Sequence, residues 1–161
     1  MTDFRALIQL LVHNSVEFII VGGAAATAHG SARLTEDLDI VYRRTGENVS
    51  RMVRSLAPYE PYLRGAPPGL PFRWDELTIH SGLNFTLTTT LGALDLLGEI
   101  TAGGGYEELL PYSIQLRLYD VKCFCLGLAR LIHVKRAAGR PKDLETIAEL
   151  EAILEERKRR P

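Results

Sequence analysis

The chain has 161 residues, 46% hydrophobic and 24% charged, a size and balance suited to a single globular domain with one core. Its formal net charge of -1 gives no global attraction to nucleic acid or membrane, so any site for a polyanion must be a local patch. No apolar run approaches the ~18 residues of a membrane span, and the first stretch lacks the basic start and cleavage site of a signal peptide, so a cytoplasmic location is expected.

In chain order, Phe4, Leu7, Ile8 and Leu11 recur at helical spacing and predict a helix over residues 2–13, with Thr2 and Asp3 offering capping oxygens. Residues 16–21 read as an apolar, central strand. Gly22-Gly23 breaks it, and residues 24–29 read as a short helix of small side chains, ended by Gly30. The run Asp37-Leu38-Asp39-Ile40-Val41-Tyr42 has strand character. Residues 47–56 read as a helix with Val49, Met52, Val53 and Leu56 inward. Residues 58–71 hold five prolines and two glycines and predict a long irregular connection, a kind of segment that often carries function. Residues 83–88 and 92–97 alternate as strands, and Gly103-Gly104-Gly105 marks a loop. A strand or two are expected within 113–124, then two helices over 127–138 and 141–157. This order predicts an α/β (α+β) fold, one mixed sheet with helices packed on it, in a single domain 1–161 with a helical segment at about 127–157.

The most telling chemistry lies in Asp37-Leu38-Asp39. Strand residues i and i+2 share a face about 6.5 Å apart, so both carboxylates project together. Like charges held that close raise one another's pKa unless a cation lies between them. The pair is therefore a candidate Mg²⁺ site with coordination positions left for substrate phosphates. Asp95 is flanked by Ala93, Leu94, Leu96 and Leu97, and a carboxylate in so apolar a strand needs a donor, a cation or solvent. It is either a strand-end acid facing water or a third metal carboxylate able to act as general base. Gly22-Gly23 is either a tight turn or a place where backbone approaches phosphate at a helix start. The two established glycine-rich phosphate signatures are absent. Cys123 and Cys125 are spaced too closely for an ordinary strand disulfide and have no zinc partners nearby in sequence; they read as strand-end residues, one or both buried.

Gly22-Gly23, Asp37-x-Asp39 and a later strand Asp95 together resemble the nucleotidyltransferase-fold superfamily that includes DNA polymerase β. The string Gly22-Gly23-Ala24-Ala25, His29-Gly30, Arg33-x-Thr35-x-Asp37-Leu38-Asp39 is closer to the AbiEii-like bacterial nucleotidyltransferases of toxin–antitoxin systems. The segment from Lys135 to Leu144 adds to that likeness, which spans roughly residues 3 to 155. The resemblance implies a nucleotidyltransferase-like mixed sheet and transfer of a nucleotide from an NTP to a hydroxyl on protein, RNA or a small molecule. It implies that Asp37 and Asp39 hold two Mg²⁺ ions with the NTP phosphates, while Asp95 binds the catalytic ion and helps activate the acceptor. Many members carry serine after the first glycine; here that position is Gly23, followed by Ala24.

The late helices add candidates of their own. Lys135 shares the face of Leu128, Leu131 and Ile132, and an inward lysine needs an anionic partner. Asp143, on the stripe of Ile147, Leu150 and Leu154, is one candidate partner; nucleotide phosphate is another. Asp143 alternatively serves the dipole of the helix after Pro141. Arg33 reads as a phosphate contact or a surface charge, and Thr35 as support for the turn before the strand. His13, His29, His80 and His133 lack metal-ligand spacing and read as structural, with His29 nearest the expected cleft. Trp74 reads as core or loop packing. The basic run 157–160 suits a helix C-terminus, with RNA phosphate as the alternative. Three readings compete: a Mg²⁺-dependent transferase, a module of the same fold that binds nucleotide or a partner without turnover, and a plain structural α/β domain with incidental acids.

Overall fold

The computed structural model describes residues 1–160. Its elements are α1 (Phe4–His13), β1 (Phe18–Val21), α2 (Gly22–Ala28), β2 (Asp37–Tyr42), α3 (Gly46–Leu56), β3 (Tyr62–Leu63), α4 (Glu76–Ser81), β4 (Asn84–Thr89), β5 (Gly92–Leu97), α5 (Tyr106–Leu109), β6 (Ser113–Leu118), β7 (Val121–Leu126), α6 (Leu128–Ala138) and α7 (Leu144–Arg159). The strands form one seven-stranded mixed sheet in the order β3-β4-β5-β2-β1-β7-β6. β1 lies parallel to β7 and β2 parallel to β5; the remaining pairs are antiparallel. No helix among the described residues is long and apolar enough to cross a membrane.

The central strands are covered on both faces, which is why they read as continuous apolar runs. All four residues of β1 are buried, as are Leu38, Ile40, Val41 and Tyr42 of β2. Toward β4 the sheet opens on one side: Phe85, Leu87 and Thr89 are buried, while Asn84, Thr86 and Thr88 are exposed. Asp95 of β5 stands opposite Thr86 on that open face. Its carboxylate thus escapes the cost of full burial although its strand neighbours Leu94 and Leu96 are buried.

Several expected boundaries move for identifiable reasons. Asp3 caps α1 by accepting from the Ala6 N–H at 2.9 Å, whereas Thr2 turns away and accepts from the Ala93 N–H at 3.0 Å. The ladder of β1 begins at Phe18 rather than residue 16, with the Glu17 N–H donated instead to Asn48 Oδ1 at 2.6 Å. α2 includes Gly22 and Gly23 as its first residues. The connection 58–71 contains the two-residue strand β3, and α4 and α5 were not foreseen. Both helices are too short to show a period; α4 is held by the Asp75 cap on Thr78 and by buried Ile79. Cys123 and Cys125 lie within β7 rather than at its ends, and both are free and buried. Burial pushes their thiols up to about 11 and about 12, so neither is a ready nucleophile. The closing helices pair as expected, with a 3₁₀ turn, Pro141–Asp143, between them.

Candidate active site

Parallel pairing of β2 with β5 sets Asp39 opposite Asp95 and Asp37 opposite Ala93. All three carboxylates thereby face the same side, and their ligand atoms lie within 4.8 Å of one another. Asp39 Oδ1 is buried without a hydrogen-bond partner. Burial, reinforced by the carboxyl of Asp95, raises the Asp39 pKa to about 8. The Asp37 pKa is raised too, first by burial and then by Asp95.

The glycine pair is fixed by what leans on it. A Cβ on Gly22 would lie 2.1 Å from Asp39 Oδ2, and its φ of +62° is left-handed. A Cβ on Gly23 would lie 2.7 Å from Thr35 Oγ1. Thr35 also donates from Oγ1 to the Asp37 carbonyl at 3.2 Å, supporting the turn into β2 as expected. The Thr35 side chain therefore fills the space that a serine at position 23 would need, a physical reason for the departure from the resembled pattern.

Lys135 and Asp143 are both buried, with Nζ and Oδ1 3.6 Å apart. Arg140 Nε donates to the other Asp143 oxygen at 2.7 Å. Asp143 accordingly serves these two cations and makes no side-chain cap on α7. Lys135 faces the cluster as well, its charge opposing the rise in the Asp39 pKa. Arg33 is half-exposed and pairs with Glu145 at 2.6 Å, while Glu149 accepts from the Ala32 N–H and the Ser31 hydroxyl, pinning the segment before β2. His29 stays out of the cluster. Its Nε2–H donates to the Leu126 carbonyl at 2.8 Å, Arg157 donates to its Nδ1 at 3.2 Å, and burial lowers its pKa. Arg157 is thereby drawn back onto the fold. Trp74 donates from Nε1 to the Val53 carbonyl at 2.9 Å, in line with packing.

One site residue was missed from sequence. Arg64, just beyond β3, donates from Nη2 to Asp95 Oδ1 at 2.7 Å, and its Nη1 lies 3.7 Å from Asp37 Oδ2. Nε and Nη2 also donate to the Leu87 carbonyl at 3.2 and 2.7 Å. The available signal was a solitary basic residue in a long proline-rich segment, a kind that often carries function.

Two cavities meet at the carboxylates. A polar one of about 310 Å³ is lined by Gly22, Gly23, Arg33, Lys135, Arg140 and Lys142. A half-apolar one of about 400 Å³ is lined by Leu97, Ile100, Leu131, Val134, Asn84 and Glu99. Gly22, Asp39, Asp95, Lys135 and Arg140 belong to both.

No protein-family profile and no curated protein matches the sequence. Solved structures do resemble the fold. The lincosamide antibiotic adenylyltransferase LnuA, with lincomycin bound, superposes with a TM-score of 0.62 at 16% identity, covering 92% of this chain and 94% of that one. The chain has the nucleotidyltransferase fold. A Thermotoga maritima protein described as a nucleotidyltransferase gives a TM-score of 0.58 at 14% identity over 92% and 94% of the two chains. An antigenic nucleotidyltransferase-like protein from Paracoccidioides brasiliensis gives 0.56 at 17% identity over 92% and 72%. At these identities the likeness establishes the nucleotidyltransferase fold and carries no substrate across.

Proposed function

We propose that the protein is a Mg²⁺-dependent nucleotidyltransferase that moves a nucleotide from an NTP to a hydroxyl acceptor. The observation that carries this reading is the meeting of Asp37, Asp39 and Asp95 beside Gly22, with one buried carboxylate oxygen of Asp39 lacking a partner. An all-oxygen donor set of this kind suits a hard divalent cation. Asp37 and Asp39 would hold two such ions together with the NTP phosphates, and Asp95 would share the ion nearer the acceptor. When bound, the ions neutralise charge on the reacting phosphate and on its entering and leaving oxygens.

The chain's own residues supply the rest. In-line displacement sends pyrophosphate out opposite the entering hydroxyl. The polar cavity suits the leaving side, since Arg33, Lys135, Arg140 and Lys142 offer charge to phosphate oxygens above the Gly22-Gly23 backbone. The half-apolar cavity suits the acceptor, and the Asp95 carboxylate on its wall is the group to take the acceptor's proton. A cavity of about 400 Å³ is of small-molecule size, and the neighbour LnuA was captured with lincomycin. Protein and RNA hydroxyls are the other acceptor classes, and the AbiEii-like resemblance of the sequence supports a toxin–antitoxin setting as part of this reading.

Incubation with α-labelled NTPs, Mg²⁺ and fractionated cell extract tests the proposal. Label should move to an acceptor with release of pyrophosphate. Asp37→Ala, Asp39→Ala and Asp95→Ala should each slow transfer about a thousandfold or more. Equal transfer by those variants overturns the reading. The second reading, a binding module without turnover, is favoured by the Arg64 ion pair on Asp95 and by Gly23 in place of serine. Calorimetry separates the two: Mg·NTP binding with no pyrophosphate release selects the module.

A further inference from the structure

Arg64 forms the only ion pairs to the carboxylate cluster among the described residues, and it touches the cluster unevenly. Its guanidinium spans Asp95 Oδ1 at 2.7 Å and Asp37 Oδ2 at 3.7 Å and leaves Asp39 alone. Asp39 Oδ1, on the other flank, is the orphaned oxygen. The arginine is also tied down. Its backbone N–H donates to the Thr86 carbonyl at 3.0 Å, extending the β3–β4 pairing, and its side chain forks onto the Leu87 carbonyl. Those anchors belong to the sheet, so they do not depend on what occupies the cluster. The result is a cation held within reach of Asp95 whether or not another cation arrives.

Resting on the metal-dependent reading above, we propose that Arg64 is a tethered counter-cation that competes with a divalent ion for the Asp95–Asp37 side of the cluster. A dication entering there meets a fixed positive charge and a carboxylate oxygen already engaged. Asp39 has no cation in ion-pair contact; the nearby Lys135 charge is itself held by Asp143. The two flanks therefore bind divalent ions unequally, and the Asp95 flank fills only when the guanidinium swings off Asp95 Oδ1 while retaining Leu87. Arg64 is on this account a positioning residue that sets ion occupancy, distinct from the groups that react.

Mn²⁺ alone, titrated calorimetrically into the nucleotide-free protein, reads this directly. Arg64→Gln keeps a donor for the Leu87 carbonyl and removes the charge. It should bind Mn²⁺ about tenfold more tightly than the parent protein. Arg64→Lys keeps the charge and should stay within about threefold of the parent. The gain in Arg64→Gln should vanish when Asp95→Asn is added, which locates the ion on the flank that Arg64 contests. Unchanged or weaker Mn²⁺ binding by Arg64→Gln overturns the proposal, because loss of a merely structural arginine does not tighten metal binding. Should Arg64→Gln fail to fold, a Mg²⁺ titration of the parent protein followed by NMR of the arginine Nε–H groups decides. The Arg64 resonance should shift in step with ion binding, and a resonance that does not move overturns the proposal. Loss of nucleotide transfer in the parent protein would sink the enzymatic reading and leave these titrations able to decide the role of Arg64.

Discussion

At the scale of single residues, Thr35 and Gly23 form a matched pair. With Thr35 Oγ1 2.7 Å from a Cβ at position 23, Gly23→Ser should destabilise the protein by about 1–3 kcal/mol through overpacking. Thr35→Gly clears the space, so the double variant should be more stable than the sum of the two single changes by about 1 kcal/mol. Urea denaturation of the four proteins measures that coupling. An additive cycle would mean the two side chains do not contend for one volume. Asp37, Asp39 and Asp95 were legible in the sequence because alternation fixes which face a strand residue takes, and because an acid among leucines demands a partner. The Thr35–Gly23 contact was not. It joins a helix start to a loop twelve residues later, and no period connects the two.

At the scale of elements, α6 and α7 are joined by a buried charge as well as by apolar packing. The Lys135 ammonium depends on Asp143 for its opposite charge, whereas Arg140 is half-exposed and reaches water. Asp143→Ala leaves a buried cation unpaired and should cost about 3 kcal/mol, while Arg140→Ala should cost under about 1 kcal/mol. Thermal and chemical denaturation should rank the two in that order; the reverse ranking would show that the arginine, not the lysine, is the dependent partner. The inward face of the lysine could be read from helical spacing, which left its partner open between Asp143, now placed in the 3₁₀ turn before α7, and a phosphate. Arg64 could not. Its approach to Asp95 requires that a two-residue strand pair with β4 and that β4 pair with β5, so the arginine crosses a full strand to reach its partner. Two residues carry no period, and the prolines around them read as loop. α4 and α5 escaped for the same reason.

At the scale of the whole molecule, the net charge of -1 conceals a local concentration of charge: Arg33, Lys135, Arg140 and Lys142 line one cavity together with Asp37, Asp39, Asp95 and Asp143. Within it, the burial of Asp39 beside Asp95 makes stability depend on pH in a predictable sense. The folded Asp39 carboxyl keeps its proton to about pH 8, whereas an unfolded aspartate loses it near 3.8. Between those values the native state holds the extra proton, so stability declines as pH rises and is fully reduced only above about 8. The metal-free protein should therefore melt at a lower temperature at pH 8.5 than at pH 7. Saturating Mn²⁺ should narrow that gap and Asp39→Asn should remove it; scanning calorimetry at both values is the check. A gap that persists in Asp39→Asn would assign the pH dependence to another group. The overall fold class was legible because the chain order of apolar runs already described one mixed sheet with helices upon it. Strand order was not, since β7 pairs beside β1 and β5 beside β2 only after long crossovers.

β2 and β5 are neighbours only once α3, β3, α4 and β4 have been accommodated between them in the chain. The three acids thus share no common surroundings in a partly built molecule, and a one-residue slip of β5 would turn Asp95 inward among leucines. On the proposed metal-dependent reading, affinity for a divalent ion is accordingly a property of the finished sheet rather than of any segment. Such an ion rewards correct assembly alone and gives no foothold to misregistered or half-formed chains.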